Sequence, residues 1–270
     1  MTSKHHLKHE MNEQTRPYAL VTGASSGLGW HLSELLAQKG YHLVAASNEP
    51  EGLDRLKKHV ETVCAINVIT VNIDLSRESA ARTLFDYCEK LGLTVEVLVN
   101  NAGMLAYGEA YRIPYTEARD ILQLHVTTPA LLCRLFSVKM IRNGKGFILN
   151  VSSISAVMPY PTISFYGPTK AFLRHFTRAV RTELKGLGLN VTCLLPGAVD
   201  TRLLDRYQFN RRITRRLGIL LHPQAVAQAG VKALFRNRPE CIPGWLNKLA
   251  VWILPVIPHF IIAYVYRNQR

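Results

Sequence analysis

The sequence predicts an α/β fold, a doubly wound parallel sheet with helices on both faces. Three observations carry this. Short, continuously apolar runs alternate with longer amphipathic ones from about residue 18 to residue 197, and strands apolar on both sides belong to sheets covered on both faces. The first apolar run passes into a helical pattern through a turn with three glycines, "TGASSGLG". The chain of 270 residues is 48% hydrophobic and 19% charged, a globular composition long enough for a substantial core.

The elements follow in order. "YALVTG" (18–23) reads as a buried strand and "GLGWHLSELLAQKG" (27–40) as a helix ended by Gly40. "YHLVAAS" is a second strand, "EPEGLDRLKKHV" a second helix, and "VITVNIDL" (68–75) a third strand leading to the helix "SRESAARTLFDYCEKLG". "VEVLVNNAG" (95–103) is a fourth strand, followed by a long helical pattern from about Tyr115 to Asn143. "GFILNVSS" (146–153) is a fifth strand, about Gly167 to Leu187 a helix, and "LNVTCLLPG" (189–197) a sixth strand. After residue 200 the pattern changes to a segment rich in arginine (Arg202, Arg206, Arg211, Arg212, Arg215, Arg216) and then to an apolar, proline-punctuated end. The expected organisation is a flexible polar tail (1–16), one domain (17–244) with a basic segment at about 202–222, and an apolar tail (245–270).

The net charge of +14 suits nucleic acid, an anionic membrane surface, or acidic substrates and carriers. No nucleic-acid module and no interleaved aromatic and basic platform is present, so nucleic acid is not expected as a partner. The five cysteines are odd in number and lack metal-ligand spacing, which predicts reduced thiols, no disulfide framework and no metal site. The polar start "MTSKHHLKHEMNEQTRP" has no apolar core, so a cytoplasmic location is expected rather than secretion.

The chemistry gathers at the strand ends. Gly23, Gly27 and Gly29 allow a tight turn and close backbone approach to a pyrophosphate, and the next helix presents free N–H groups to it. Ser25 and Ser26 add hydroxyl donors. Asp74 is placed to accept from an adenine amino group, and "NNAG" (100–103) leaves room for a ligand. Tyr166 and Lys170 are four residues apart in "SFYGPTKAF", a spacing that puts both on one helical face. Pro168 fits a first helical turn. A phenol, ordinarily near pKa 10, becomes a useful acid–base group when an ammonium and an oxidised nicotinamide ring stabilise its phenolate.

In their order and approximate spacing, TGASSGLG, Asp74-Leu75, NNAG, NVSS, YGPTK and PGAVDT resemble the short-chain dehydrogenase/reductase family, over about residues 17–201. The resemblance implies a Rossmann-type fold, an NAD(P)-dependent oxidoreductase, and a homo-oligomer. It assigns Tyr166 as the proton donor, Lys170 as its tuner and a ribose contact, and Ser153 as the hydroxyl that polarises the substrate carbonyl. It implies cofactor contacts at Gly23, Ser25, Ser26, Gly27, Leu28, Gly29, Asn48, Asp74, Leu75, Asn101, Ala102 and Gly103, and at Tyr166 and Lys170 themselves. Pro196, Gly197, Val199 and Thr201 would meet the nicotinamide end. The second strand ends "AASNE", without an acid at the usual place; Ser47 and Asn48 therefore favour NADP, with NAD the alternative. His125 stands where relatives carry an asparagine that holds a relay water, and it reads equally as a relay member or as a buried histidine bonded to backbone.

The basic segment would form a lid in this family, facing an acidic acyl carrier, an acidic substrate or anionic lipid. From Leu249 to Tyr266 the tail has eighteen residues without Asp, Glu, Lys or Arg, bracketed by Lys248 and Arg267. Pro255 and Pro258 predict two short helices with a break. Membrane docking, a membrane span, and burial against the lid or in a dimer are the three readings. The leading expectation is an enzyme reducing a lipophilic carbonyl, such as a 3-oxoacyl, long-chain ketone or steroid-like compound, or oxidising the alcohol. The alternative is a dinucleotide-binding redox sensor without turnover.

Overall fold

The computed structural model describes residues 16–201 and 220–268. The polar tail and nearly all of the basic segment fall outside the described residues. Seven parallel strands form the central sheet: β1 (Tyr18–Thr22), β2 (His42–Ser47), β3 (Val68–Asn72), β4 (Val95–Asn100), β5 (Gly146–Val151), β6 (Leu189–Leu194) and, later in the chain, β9 (Glu240–Cys241). Their order is β3-β2-β1-β4-β5-β6-β9. A small parallel pair, β7 (Ala198–Val199) and β8 (Leu220–Leu221), lies apart.

The alternation of side chains along each strand sorts the core into two layers. Ala19, Val21, Leu43 and Val97 face one side, where they meet Leu32 and Leu36 of α1 (Gly27–Gln38), Leu53 and Leu56 of α2 (Pro50–Val63), and Val226 and Leu234 of α7 (Pro223–Phe235). Leu20, Val44, Leu98 and Ile148 face the other, against Leu84 of α3 (Ala80–Lys90), Phe136 and Met140 of α5 (Thr128–Arg142), and Leu184 just past α6 (Tyr166–Glu183). Both faces are covered, as continuous apolar strands require.

Because β1 pairs with both β2 and β4, the chain winds outward in opposite directions from it. The C-terminal ends of β1 and β4 therefore flank a crevice, the usual ligand position in open α/β sheets. Several strands stop earlier than the apolar runs suggest. β3 ends at Asn72, so Asp74 and Leu75 sit in the following turn, where the Asp74 carboxylate takes the Ser76 N–H at 3.0 Å; the helix after it starts only at Ala80. β5 ends at Val151, and Ser152 and Ser153 follow it beside the crevice, the Ser152 N–H still donating to the Leu194 carbonyl of β6 at 2.8 Å.

The expected long helix is present as α4 (Tyr115–Leu122) and α5, joined without a break by a π-helical turn over Gln123–Thr127. This 28-residue stretch contains an 18-residue window apolar enough, by length and composition only, to cross a membrane, but here Leu132, Phe136 and Met140 of α5 pack on the sheet. The apolar tail forms α8 (Trp245–Ile253) and α9 (His259–Arg267), bent by 104° at the prolines. At about 1.5 Å per residue, neither nine-residue helix reaches across a ~30 Å hydrocarbon core. A straight span is therefore excluded for this segment as folded.

Candidate active site

A cleft of about 780 Å³ opens at the C-terminal edge of β1 and β4. The glycine turn forms its floor. Gly23 and Gly27 adopt φ of 65° and 55°, a left-handed region that suits residues without Cβ. A Cβ on Gly29 would collide with the Gly23 carbonyl. Ser26 precedes α1 without capping it through its side chain, so the first N–H groups of that helix keep their capacity for an anion.

Thr22 locks this turn to NNAG. Its hydroxyl accepts from Asn101 N at 2.9 Å and Ala102 N at 3.0 Å, and donates to the Val99 carbonyl at 3.2 Å. The Asn101 side chain donates in return to the Thr22 and Gly23 carbonyls, at 2.9 and 3.2 Å. One strand further on, buried Asn100 donates to Asn150 at 2.8 Å and Asn150 to Thr177 at 2.9 Å, pinning β4 and β5 to α6. A buried chain of side-chain hydrogen bonds of this kind fixes relative positions inside an apolar core, although the Asn100 Oδ1 itself has no partner.

At the adenosine end, Ser25 and Ser47 share a hydrogen bond of 2.9 Å, and the Ser25 hydroxyl reaches the Glu49 carboxylate at 3.1 Å. Asn48 and Glu49 both line the cleft. Asp74 also lines it, with Arg77 ion-paired to it at 2.9 Å. Desolvation pushes that carboxyl up, but the bonds from Ser76 and the Arg77 charge outweigh it and hold Asp74 below its ordinary range.

At the other end the structure brings Ser153, Tyr166 and Lys170 together. Ser153 is bonded to the Tyr166 phenol and also accepts from the Ser155 N–H at 3.1 Å. Neighbouring Ser152 turns away, donating to the Lys170 carbonyl at 2.7 Å. The Lys170 ammonium donates to the Val151 carbonyl at 3.0 Å and lies 5.7 Å from the centre of the Tyr166 ring. Burial lowers the lysine to about 8, against a raising influence from Cys193. Burial raises the phenol above its ordinary value near 10, and the bond from Ser153 only partly opposes this. The expected depression of the tyrosine is thus not supplied by the chain alone, because desolvation outweighs the neighbouring groups.

His125 is buried, at 1% exposure. Its Nε2 accepts from the Met104 N–H at 3.0 Å, and its Nδ1 meets the Thr169 hydroxyl at 3.1 Å. That hydroxyl already donates to the Tyr166 carbonyl at 2.8 Å, so Nδ1 carries the proton and Nε2 the lone pair. Burial and the Lys170 charge hold the ring well below its usual pKa. Both nitrogens are taken, so the neutral imidazole has no atom left for a relay water. Its bonds tie the segment after NNAG to the first turn of α6.

The loop after β6 closes the cleft. Pro196 accepts from the Ile154 N–H at 3.0 Å, Gly197 abuts the Asn247 carboxamide, Val199 lines the wall, and Thr201 lies over Gly27. Met104, Leu105, Leu124, Ile154 and Ile163 make the side next to Tyr166 apolar. No motif marks these five, and no motif marks Thr162, which holds a left-handed backbone (φ 70°) while its carbonyl accepts from Gly108. Among the described residues no group of His, Cys, Asp and Glu is arranged to hold a metal.

The short chain dehydrogenase family model matches residues 17–211. Similar chains include the very-long-chain 3-oxoacyl-CoA reductase-A of Danio rerio, 33% identical over 69% of this chain and 59% of the relative. Mouse 17-beta-hydroxysteroid dehydrogenase type 3 is 30% identical over 73% of this chain and 64% of its own length. This chain thus spans about 60% of several such relatives. An uncharacterized oxidoreductase of Myxococcus xanthus is 31% identical over 96% of this chain and 100% of its own. In fold, the chain resembles a short-chain dehydrogenase from Sphingobium yanoikuyae solved with NADPH, at 24% identity, TM-score 0.77, and coverage of 90% and 96% of the two chains. The family match runs from the first strand past the loop that closes the cleft, and the chain belongs to the short-chain dehydrogenase family.

Proposed function

We propose that this chain is an NADP(H)-dependent oxidoreductase that reduces a carbonyl, or oxidises the corresponding secondary alcohol, on a lipophilic substrate. The observation that carries the reading is the grouping of Ser153, Tyr166 and Lys170 on one wall of a cleft whose floor is an uncapped glycine turn. The residues present fit a nicotinamide dinucleotide. Gly23, Gly27 and the start of α1 would hold its pyrophosphate, and the loop from Pro196 to Thr201 would flank its nicotinamide end. Bound there, the reduced cofactor supplies a hydride.

The chain's own groups handle the proton. The Ser153 hydroxyl orients and polarises the carbonyl oxygen, and the Tyr166 phenol, kept protonated by burial, donates its proton as negative charge develops there. Lys170 places a cation beside the phenolate that remains. The apolar wall of Met104, Leu105, Leu124, Ile154 and Ile163 excludes water and favours an aliphatic or steroid-like body. Relatives named as reductases of very-long-chain 3-oxoacyl-CoA and as 17-beta-hydroxysteroid dehydrogenases support that substrate class.

NADP is favoured by neutral Ser47 and Asn48 at the end of β2. The second reading, NAD, is favoured by Glu49, whose carboxylate lines the cleft 3.1 Å from Ser25 and would oppose a 2′-phosphate. The function is tested by assaying the oxidation of NADPH with long-chain 3-oxoacyl thioesters and bulky ketones. Tyr166→Phe should lower kcat on the order of 10²- to 10⁴-fold, the usual worth of a general acid, and leave dinucleotide affinity nearly unchanged. Full turnover by the variant would remove the mechanism.

A further inference from the structure

The apolar tail is folded so that one surface stays uncovered. On α8 and the 3-10 turn that continues it (Leu254–Val256), Trp245, Leu249, Trp252, Ile253 and Val256 are 72%, 49%, 81%, 48% and 75% exposed. Their spacing places them on one helical face. On α9, Phe260 and Tyr264 are 71% and 67% exposed. The opposite faces anchor the tail to the domain. Buried Asn247 donates to the Pro243 carbonyl at 2.7 Å and packs against Gly197, while Ile262 is buried and Tyr266 donates to Glu109 at 2.9 Å.

We propose that the outer face of α8 and α9 docks this chain onto an anionic lipid bilayer, with the helices lying in the interface and the mouth of the cleft at the lipid boundary. The charge pattern selects this occupant. Residues 245–268 contain no Asp or Glu, and exposed Lys248 and Arg267 flank the aromatic face. Tryptophan and tyrosine beside lysine and arginine are the composition of a membrane interface. A second copy would bring the same cations to the same face, on a chain of net charge +14.

The position of the surface gives it a use. α8 rests against the helical turn Ile154–Val157, and Ile154 lines the cleft. α9 is tied to Glu109, on the segment that begins with the cleft residues Met104 and Leu105. Two walls of the substrate side therefore continue into the docking surface, and a lipophilic substrate can enter from the bilayer. That last consequence rests on the oxidoreductase reading; the docking does not.

The test is co-sedimentation of the full chain with vesicles of phosphatidylcholine and phosphatidylserine, or phosphatidylcholine alone. The wild type should sediment with the anionic vesicles, less so as salt is raised. Trp252→Asp with Phe260→Asp, both at highly exposed positions, should lower the partition coefficient at least about tenfold, from the apolar area lost. Lys248→Glu with Arg267→Glu, which leaves the apolar face intact, should weaken binding to anionic vesicles only.

A wild type that stays in the supernatant, or an aspartate variant that partitions equally, overturns the proposal. So does a wild-type dimer that the aspartate variant dissociates without any vesicle binding, which would give the face to a second copy. Reduced-nicotinamide fluorescence on the same samples separates the two readings. Vesicle binding without dinucleotide binding leaves the docking standing and removes the oxidoreductase. Dinucleotide binding without vesicle binding does the reverse.

Discussion

Lys170 reports on its surroundings through its proton. Burial brings its pKa from 10.5 to about 8, so it is an ammonium below that pH and increasingly neutral above it. If its cation holds the cofactor, dinucleotide affinity should decline as pH rises through about 8, and Lys170→Gln should flatten the profile. A fluorescence titration across that range checks this. The stability effect runs the other way: between about 8 and 10.5 the unfolded chain keeps a proton the folded chain has lost, so folding gains stability as pH rises there. The i, i+4 pairing of Tyr166 and Lys170 was readable because a helix imposes it locally. The state of His125 was not, because its partners, the Met104 N–H and the Thr169 hydroxyl, come from other parts of the chain. The same holds for Glu49, whose carboxylate reaches Ser25 only because β2 lies beside the glycine turn.

Elements with a strong period were the legible ones. Six strands and the helices between them follow from short apolar runs of two to four residues, set between turns, and from amphipathic repeats. β9 is only two residues long, Glu240 and Cys241, and a two-residue strand has no period to read. It is held from outside. Arg174 of α6 forms a two-pronged pair with Glu240, at 2.9 and 3.0 Å, with side chains only 17% and 22% exposed. Glu240→Gln should cost about 2 kcal/mol in urea unfolding, since it leaves a mostly buried guanidinium without its counter-charge. An unchanged midpoint would mean that the backbone pairing of Leu194 with Cys241 holds the edge alone. The π turn at Gln123–Thr127 was equally silent in sequence; it breaks the helical phase at the residue, His125, that reaches across to Met104 and Thr169.

At the scale of the whole molecule, the parallel order of the sheet places every motif at one edge. The glycine turn follows β1, NNAG completes β4, the serines follow β5, and the closing loop follows β6. That convergence makes a scattered set of short motifs into one cleft, and it was foreseeable once the strands were known to be parallel. The bend of the tail was foreseeable from Pro255 and Pro258, whereas its attachment through Asn247 and Tyr266 depends on contacts with distant segments. The proposal that the cleft binds a nicotinamide dinucleotide and prefers NADP is decided by a titration of the purified chain with NADPH and with NADH, following reduced-nicotinamide fluorescence. Saturable binding of NADPH, with NADH clearly weaker, is expected from neutral Ser47 and Asn48. A preference for NADH would assign the adenosine end to Glu49, and binding of neither would remove the dinucleotide site altogether.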